Sequence, residues 1–126
     1  MRVLVVEESP ALSARLLERL EAVPGLIVLG VVRGVMQAVR VLPVLSPDMV
    51  ITDTELEGGS GVALLHVLQA GRVMSGRGPR VLLWTGCQDT HRDAFAHGLG
   101  AEARFDKARE LDQLVEYCRR AVVNYG

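Results

Sequence analysis

Residues 47–61 read PDMVITDTELEGGSG and predict a strand, a loop and the start of a helix. A turn signal precedes a short apolar run, Met49 to Thr52, and one carboxylate, Asp53, stands where that run ends. A glycine-rich loop follows, and after it the amphipathic pattern over Val62 to Ala70 predicts a helix. A short run without alternation is typical of a strand buried in a parallel sheet, where ligands bind at the carboxyl ends of the strands. Asp53 is therefore a candidate site residue, although an isolated acid in this position more often only helps to turn the chain.

Composition places the chain in the class of globular domains. Its 126 residues, 49% of them hydrophobic and 23% charged, predict a single domain over 1–126. A net charge of −1 without a Lys/Arg cluster, together with 4% aromatic residues, argues against direct nucleic-acid binding. No apolar run approaches membrane-spanning length and no signal peptide is visible, so we expect a cytoplasmic location and no membrane contact. The cysteines, Cys87 and Cys118, lack metal-ligand spacing and are expected to be reduced thiols.

Strands and helices are predicted to alternate five times along the chain. Besides Met49–Thr52, three apolar runs predict strands, Arg2–Val6, Leu26–Val32 and Val81–Trp84, and Glu102–Phe105 predicts a weak fifth strand. Besides the helix after the glycine-rich loop, four more are predicted: from Pro10 to the Pro24-Gly25 turn, from Gly34 to about Pro43, over about 89–98, and over about 108–123. Strict alternation favours an α/β fold, a flavodoxin-like (βα)5 three-layer sandwich with a parallel five-stranded sheet in the order 2-1-3-4-5. The mixed polarity of the fifth strand suits a sheet edge.

That strand order brings polar side chains to one cleft. Glu7 and Glu8 end the first strand beside Asp53, and Thr85 and Lys107 follow the fourth and fifth strands at the same edge. Converging carboxylates repel each other unless a hard cation binds, and Mg²⁺ takes one or two carboxylates together with phosphoryl oxygens. A lysine ammonium and a threonine hydroxyl suit a phosphoryl group, and carboxylates are nucleophiles in phosphoryl transfer. The cleft therefore contains the parts needed to form an aspartyl phosphate.

The chain resembles the receiver domain of bacterial two-component response regulators, the CheY-like family. The resemblance covers the whole chain and is carried by five motifs in the order and spacing of the family. They are VLVVEES at 3–9, PDMVITD at 47–53 with GGSG at 58–61, WTG at 84–86, GA at 100–101 and DK at 106–107. Each motif alone is a weak signal, and the five together indicate the family.

The resemblance implies a role for each acid of the cleft. Asp53 would accept a phosphoryl group from the phosphohistidine of a sensor histidine kinase or a phosphotransfer protein in a phosphorelay. Glu8 and Asp53, with the backbone carbonyl of Glu55, would hold Mg²⁺, and Glu7 would act through water. The domain would then be a phosphoacceptor rather than an enzyme, with at most self-catalysed phosphorylation and dephosphorylation.

The resemblance also implies how the signal would leave the site. Lys107 would pair with the phosphoryl group, and Thr85 would move to bond it. That movement would shift the face formed by the predicted fourth helix, fifth strand and fifth helix, which is the α4-β5-α5 face of the family. A downstream protein or a fused output domain would be engaged through this face. The family often pairs through the same face, which leaves a homodimer open.

Two departures from the family pattern bear on function. The family usually has Asp at one or both positions of the acid pair, whereas this chain has Glu7 and Glu8. Each side chain is one methylene longer, which Mg²⁺ tolerates poorly, so weakened metal binding is expected. The switch position three before Lys107 carries Arg104 instead of the usual aromatic residue.

These departures keep two other functions open. A pseudo-receiver, acting as a phosphorylation-independent interaction module, is favoured by the two glutamates and by Arg104. A small phosphatase of the haloacid-dehalogenase type has an Asp-x-Asp motif that Asp53-Thr54-Glu55 partly mimics, but its nucleophile ends the first strand instead of the third. The complete set of Asp53, Thr85 and Lys107 favours the phosphoacceptor.

Overall fold

The computed structural model describes residues 1–56, 59–86 and 96–125. At its centre lies a sheet of five parallel strands. In chain order the strands are β1 (Arg2–Val6), β2 (Ile27–Val32), β3 (Met49–Thr52), β4 (Arg80–Thr85) and β5 (Ala101–Asp106). They lie side by side in the order β2-β1-β3-β4-β5, which confirms the predicted order 2-1-3-4-5.

Helices connect the strands and cover both faces of the sheet. They are α1 (Pro10–Glu21), α2 (Val35–Leu45), α3 (Gly61–Ser75) and the C-terminal helix (Leu111–Val123). The helix predicted over about 89–98 falls largely outside the described residues, and only 96–98 at its end are seen to be helical. Within the described part of the chain, no helix is both long and apolar enough to cross a membrane.

The start of α1 lies where the sequence predicts it. The side-chain oxygen of Ser9 accepts a hydrogen bond from the backbone N–H of Leu12 at 3.2 Å, and Pro10 stands in the first turn. A serine in this position satisfies a backbone donor that has no partner inside the helix, and proline loses nothing there because its missing N–H would be unpaired anyway. The loop between β1 and α1, which contains Glu7 and Glu8, is therefore fixed where it enters α1.

Two helix ends differ from the prediction. Pro43 was expected to end or kink α2 early, and it does not end the helix, because α2 continues to Leu45 and stops at Ser46, whose backbone is left-handed with a φ of 44°. The backbone N–H of Ser46 donates to the carbonyl of Leu42 at 2.9 Å. Pro43 lacks only its own backbone N–H, so this hydrogen bond of the last turn is kept. The helix α3 runs to Ser75, five residues past the predicted end, and stops at Gly76 with a φ of 71°.

A short antiparallel pair within the glycine-rich loop was not predicted. It joins Glu55–Leu56 to Gly59–Ser60, with Glu55 opposite Ser60 and Leu56 opposite Gly59. Leu56 is only 8% exposed and belongs to the core on the α3 side of the sheet. This burial gives the loop after Asp53 an apolar anchor.

The sheet separates two hydrophobic cores. One contains side chains of α1 and the C-terminal helix, including Leu16 and Leu114, packed with alternate residues of the strands. The other contains side chains of α2 and α3, including Ala38 and Leu65. All four residues of β3 are buried, as expected for a strand covered by helices on both faces. The architecture is therefore the predicted three-layer sandwich.

Polar contacts at the edge of the sheet explain the mixed polarity of β5. Arg80 on β4 donates two hydrogen bonds of 2.8 Å to the carboxylate of Glu102 on β5. The hydroxyl of Tyr117, on the C-terminal helix, donates to the same carboxylate. The hydrogen bond from Arg80 holds the pKa of Glu102 below its usual value. The edge strand is thus tied both to its neighbour and to the helix that covers it.

Replacing Leu65 with alanine should destabilise the fold by about 2–5 kcal/mol, because Leu65 is fully buried and its removal leaves a cavity. Val67→Ala on the same helix is the matched control, since Val67 is 45% exposed and should cost about 1 kcal/mol or less. Urea unfolding followed by circular dichroism measures both changes. Equal losses for the two variants would contradict the assigned burial of α3.

Candidate functional site

Four polar side chains meet at the carboxyl edge of the sheet. Glu7 follows β1, Asp53 follows β3, Thr85 ends β4 and Lys107 follows β5. The strands are in parallel register, with Val6 opposite Thr52, so the residues that follow β1 and β3 are neighbours. The structure thus brings together these four of the residues that the sequence predicts for the site.

The ammonium group of Lys107 bridges the two buried carboxylates. Its Nζ contacts Oε1 of Glu7 and lies 2.6 Å from Oδ2 of Asp53. Glu7 is 2% exposed and Asp53 is 6% exposed, so water contributes little to neutralising either charge. Two carboxylates this close are stable only with a positive partner, and Lys107 supplies it. It is the only lysine in the chain.

The pKa of Lys107 reflects this pairing. Burial works to lower the pKa of the ammonium, since a low-dielectric environment disfavours the charged form. The hydrogen bonds and charges of Asp53 and Glu7 together outweigh burial, so the pKa lies above its usual value of 10.5. Lys107 is therefore charged at neutral pH and faces two buried carboxyl groups.

The two glutamates of the acid pair lie in different environments. Oε1 of Glu7 contacts Lys107, and its Oε2 accepts a hydrogen bond from the backbone N–H of Ser9 at 2.9 Å. Glu8, the next residue, is exposed. The resemblance assigns direct metal contact to Glu8 and contact through water to Glu7, whereas here Glu7 is the acid that points into the cleft.

The loop after β3 orients Asp53. The backbone N–H of Glu55 donates to Oδ1 of Asp53 at 3.2 Å, while the side chain of Glu55 is exposed. Both carboxylate oxygens of Asp53 thus have a partner. The backbone N–H of Gly61 donates to the carbonyl of Thr54 at 3.0 Å, so the start of α3 folds back against Asp53.

Thr85 lies deep in the site beside a second hydroxyl that the sequence interpretation missed. Thr85 and Thr54 are both fully buried, and their Oγ1 atoms are 3.5 Å apart. The one sequence signal that could have identified Thr54 as a site residue is its position directly after Asp53. Trp84 is also buried, and its ring centroid lies 5.6 Å from Nζ of Lys107, within range of a cation–π interaction.

Arg104, the predicted switch residue, lies on β5 opposite Leu83 of β4 and is half-buried. Together with Lys107 and Arg109 it lines a polar cleft of about 760 Å³ beside the site. The structure therefore places Arg104 near Lys107, on the strand that leads into the site.

The residues present do not form a divalent metal site in this arrangement. Among the described residues, no group of three or more His, Cys, Asp or Glu side chains is placed to hold a metal ion. Glu7 and Asp53 offer the oxygens that Mg²⁺ prefers, but the ammonium of Lys107 lies between them and Glu8 is exposed. The carboxylate oxygens are ligands that suit Mg²⁺, but the positions of these side chains do not form a binding site for it.

Replacing Lys107 with methionine should destabilise the fold by about 3–5 kcal/mol at neutral pH, because two buried carboxylates would lose their counter-ion. Since pairing raises the pKa of Lys107, its stabilisation is fully present below pH 10.5 and is lost as the pH rises through the raised pKa. The difference in unfolding free energy between the wild type and the variant should therefore narrow at alkaline pH. Urea unfolding at a series of pH values measures this.

The control is Lys107→Arg, which keeps a charge that is not lost in this pH range. Its stability should not show the alkaline loss attributed to Lys107. A wild-type advantage over Lys107→Met that stays constant through high pH would contradict the ion pair.

Replacing Gly61 with alanine should displace the loop that holds Asp53. An added Cβ would lie 1.7 Å from the carbonyl oxygen of Asp53, so the backbone must move. We expect a loss of about 1–3 kcal/mol in unfolding free energy from this overpacking. Gly71→Ala is the matched control, because nothing lies within 4 Å of its added Cβ and alanine favours the helix. If the two variants were equally stable, the close approach of Gly61 to Asp53 would be wrong.

Comparisons with known proteins support a single family. The family model of the response regulator receiver domain matches residues 3–119. No curated protein sequence matches the chain. Similar solved structures include the response regulator domain of CheB from Thermotoga maritima, with 21% identity and a TM-score of 0.82 over 100% of this chain and 98% of that one.

Two other solved structures are similar over nearly the whole chain. The signal receiver domain of a modulated diguanylate cyclase from Desulfovibrio desulfuricans G20 has 28% identity and a TM-score of 0.79, covering 97% of this chain and 93% of that one. The Mn²⁺-bound form of the response regulator Rcp1 has 17% identity and a TM-score of 0.78, covering 98% and 93%. These similarities agree with the fold, and the family match spans most of the chain. The chain therefore belongs to the response regulator receiver domain family.

Proposed function

We propose that residues 1–126 form a receiver domain that accepts a phosphoryl group on Asp53 from a sensor histidine kinase or a phosphotransfer protein. Members of this family are regulatory phosphoacceptor domains of two-component signalling and are generally not enzymes. The observation that carries the proposal is the 2.6 Å contact between Asp53 and Lys107 at a buried sheet edge that also contains Thr85.

The proposed step is a transfer between a nitrogen and an oxygen. A carboxylate oxygen of Asp53 attacks the phosphorus of the partner's phosphohistidine, a P–O bond forms, and the P–N bond breaks. The histidine nitrogen keeps the electron pair and takes up a proton. The backbone N–H of Glu55 fixes the direction of the carboxylate, and Lys107 offsets the negative charge that the phosphoryl group brings.

We also propose Mg²⁺ as the cofactor, with oxygens from Glu7, Glu8, Asp53 and the carbonyl of Glu55. When bound, it would supply further neutralisation of phosphoryl charge. The described arrangement does not assemble these donors, so binding requires Glu8 to turn inward or Lys107 to leave one carboxylate. We therefore expect weak metal affinity and, as the resemblance implies, a transfer that depends on Mg²⁺.

Signal output would begin at Thr85 and Arg104. Thr85 is the last residue of β4, directly before the loop that follows this strand. Arg104 lies on β5, which the C-terminal helix covers. We propose that a phosphoryl group on Asp53 draws Thr85 toward it and changes the α4-β5-α5 face, most of whose first helix lies outside the described residues. A downstream protein, a fused output domain or a second copy would bind that face, in the cytoplasm.

Incubation with acetyl phosphate should add one phosphoryl group to the protein, detected as an increase in intact mass. Asp53→Asn should abolish the increase, since the acceptor oxygen is lost. Asp112→Asn, which changes an exposed acid in the C-terminal helix, is the matched control and should leave it unchanged. Parallel reactions with Mg²⁺ and with a chelator measure how far Lys107 alone supports the transfer.

No mass increase under any of these conditions, with the protein folded, would overturn the phosphoacceptor proposal. The pseudo-receiver, which Glu7, Glu8 and Arg104 favour, would then be the better account of the chain. In a pseudo-receiver, Asp53→Asn would leave partner binding unchanged.

A further inference from the structure

A large apolar groove lies at the edge of the sheet opposite Asp53. It has a volume of about 950 Å³ and runs between the C-terminal halves of α2 and α3. Because each helix begins beside the carboxyl ends of the strands, its C-terminal end lies at the other edge. The groove is therefore remote from Asp53, and an occupant would leave the site uncovered.

The walls of the groove are mainly apolar, and its opening is made by small residues. Leu42 and Pro43 lie on the α2 side, and Val67, 45% exposed, lies on the α3 side. Gly71 and Ser75, one helical turn apart on α3, also line the groove. A Cβ added at Gly71 would meet nothing within 4 Å, so the space above it is open.

Two helices on this side of the sheet, α2 and α3, carry no negative charge. Neither α2 nor α3 contains an aspartate or glutamate, whereas α1 and the C-terminal helix contain several. Arg77 lines the groove at the end of α3 and is exposed, and in the described part of the chain its guanidinium forms no ion pair. Arg40 on α2 is likewise exposed.

Both carboxylate oxygens of Asp48, the acid that lines the groove, are already hydrogen-bonded. Oδ2 of Asp48 accepts from the backbone N–H of Arg2 at 2.7 Å, and its Oδ1 accepts from the hydroxyl of Tyr125 at 2.9 Å. Arg80, another lining residue, is paired with Glu102. The guanidinium of Arg77 is left to meet a ligand, so the groove combines apolar walls with a positive rim.

We propose that this groove binds an acidic amphipathic helix of a partner protein. Apolar side chains of that helix, spaced one turn apart, would fill the groove over Gly71, and its carboxylates would face Arg77. The lining residues run from Val39 to Ser46 on the α2 side and from Val67 to Ser75 on the α3 side, so at 1.5 Å per residue the walls are about 11 and 12 Å long, which matches about two turns of a docked helix. This surface is separate from the α4-β5-α5 face.

The test uses a fluorescein-labelled synthetic helix with leucines on one face and glutamates on the other, and a second peptide in which lysines replace the glutamates. Fluorescence anisotropy measures binding of each to the full chain. The acidic peptide should bind saturably, and the basic one at least about tenfold more weakly because the rim is positive. Equal binding of the two peptides, or no binding of the acidic one, would overturn the proposal.

Two variants locate the binding on the groove. Gly71→Leu should fill the groove and weaken binding of the acidic peptide at least about tenfold, without loss of stability, since leucine favours the helix. Ala70→Leu, at an exposed neighbour outside the groove, is its control. Arg77→Glu should weaken binding to a similar degree, and Arg15→Glu on α1 is the control with the same charge change.

If the groove variants bind the acidic peptide as well as their controls do, the proposed site is wrong. Sedimentation of the unliganded wild type gives a further check. A dimer that Gly71→Leu disrupts would overturn the proposal and assign the groove to a second copy of the chain. None of these measurements depends on Asp53, so a failure here leaves the phosphoacceptor proposal untouched.

Discussion

The functional edge of this domain depends on one ammonium group between two buried carboxylates. Removing Glu7 and Asp53 from water is costly, and the direct contacts with Lys107 offset that cost. Lys107 is positioned because it follows the edge strand β5, and its backbone N–H donates to the carbonyl of Thr85 at 3.2 Å. The site therefore relies on the attachment of β5, to which the ion pair of Arg80 and Glu102 contributes.

Much of the fold could be predicted because the local signals agree with the global arrangement. The bounds of β1 and β3 are those expected from their apolar runs, and the polar composition of β5 correctly indicated an edge strand. The strand order then placed Asp53 and Lys107 at one edge. Their contact follows from parallel topology, which carries the ends of distant segments to the same place.

The remaining details depend on tertiary contacts that no local pattern contains. Glu7 and Glu8 are the same residue type and adjacent, and the contact with Lys107 distinguishes the buried one from the exposed one. The buried hydroxyl of Thr54 is recognisable only when β4 brings Thr85 beside it. The end of α3 was missed because Gly71 suggests a loop, whereas the helix continues over it to the left-handed Gly76.

The composition of the basic residues has a practical consequence. Of the 14 basic residues, Lys107 is the only one that is not an arginine, and it lies enclosed in the acid cluster. Isotope labelling of lysine nitrogen would thus place a single spectroscopic probe inside the site. Conversely, amine-directed crosslinking or immobilisation can attach only at the chain's N-terminus or at Lys107. Amine coupling that reached Lys107 would remove the charge that holds Glu7 and Asp53 together.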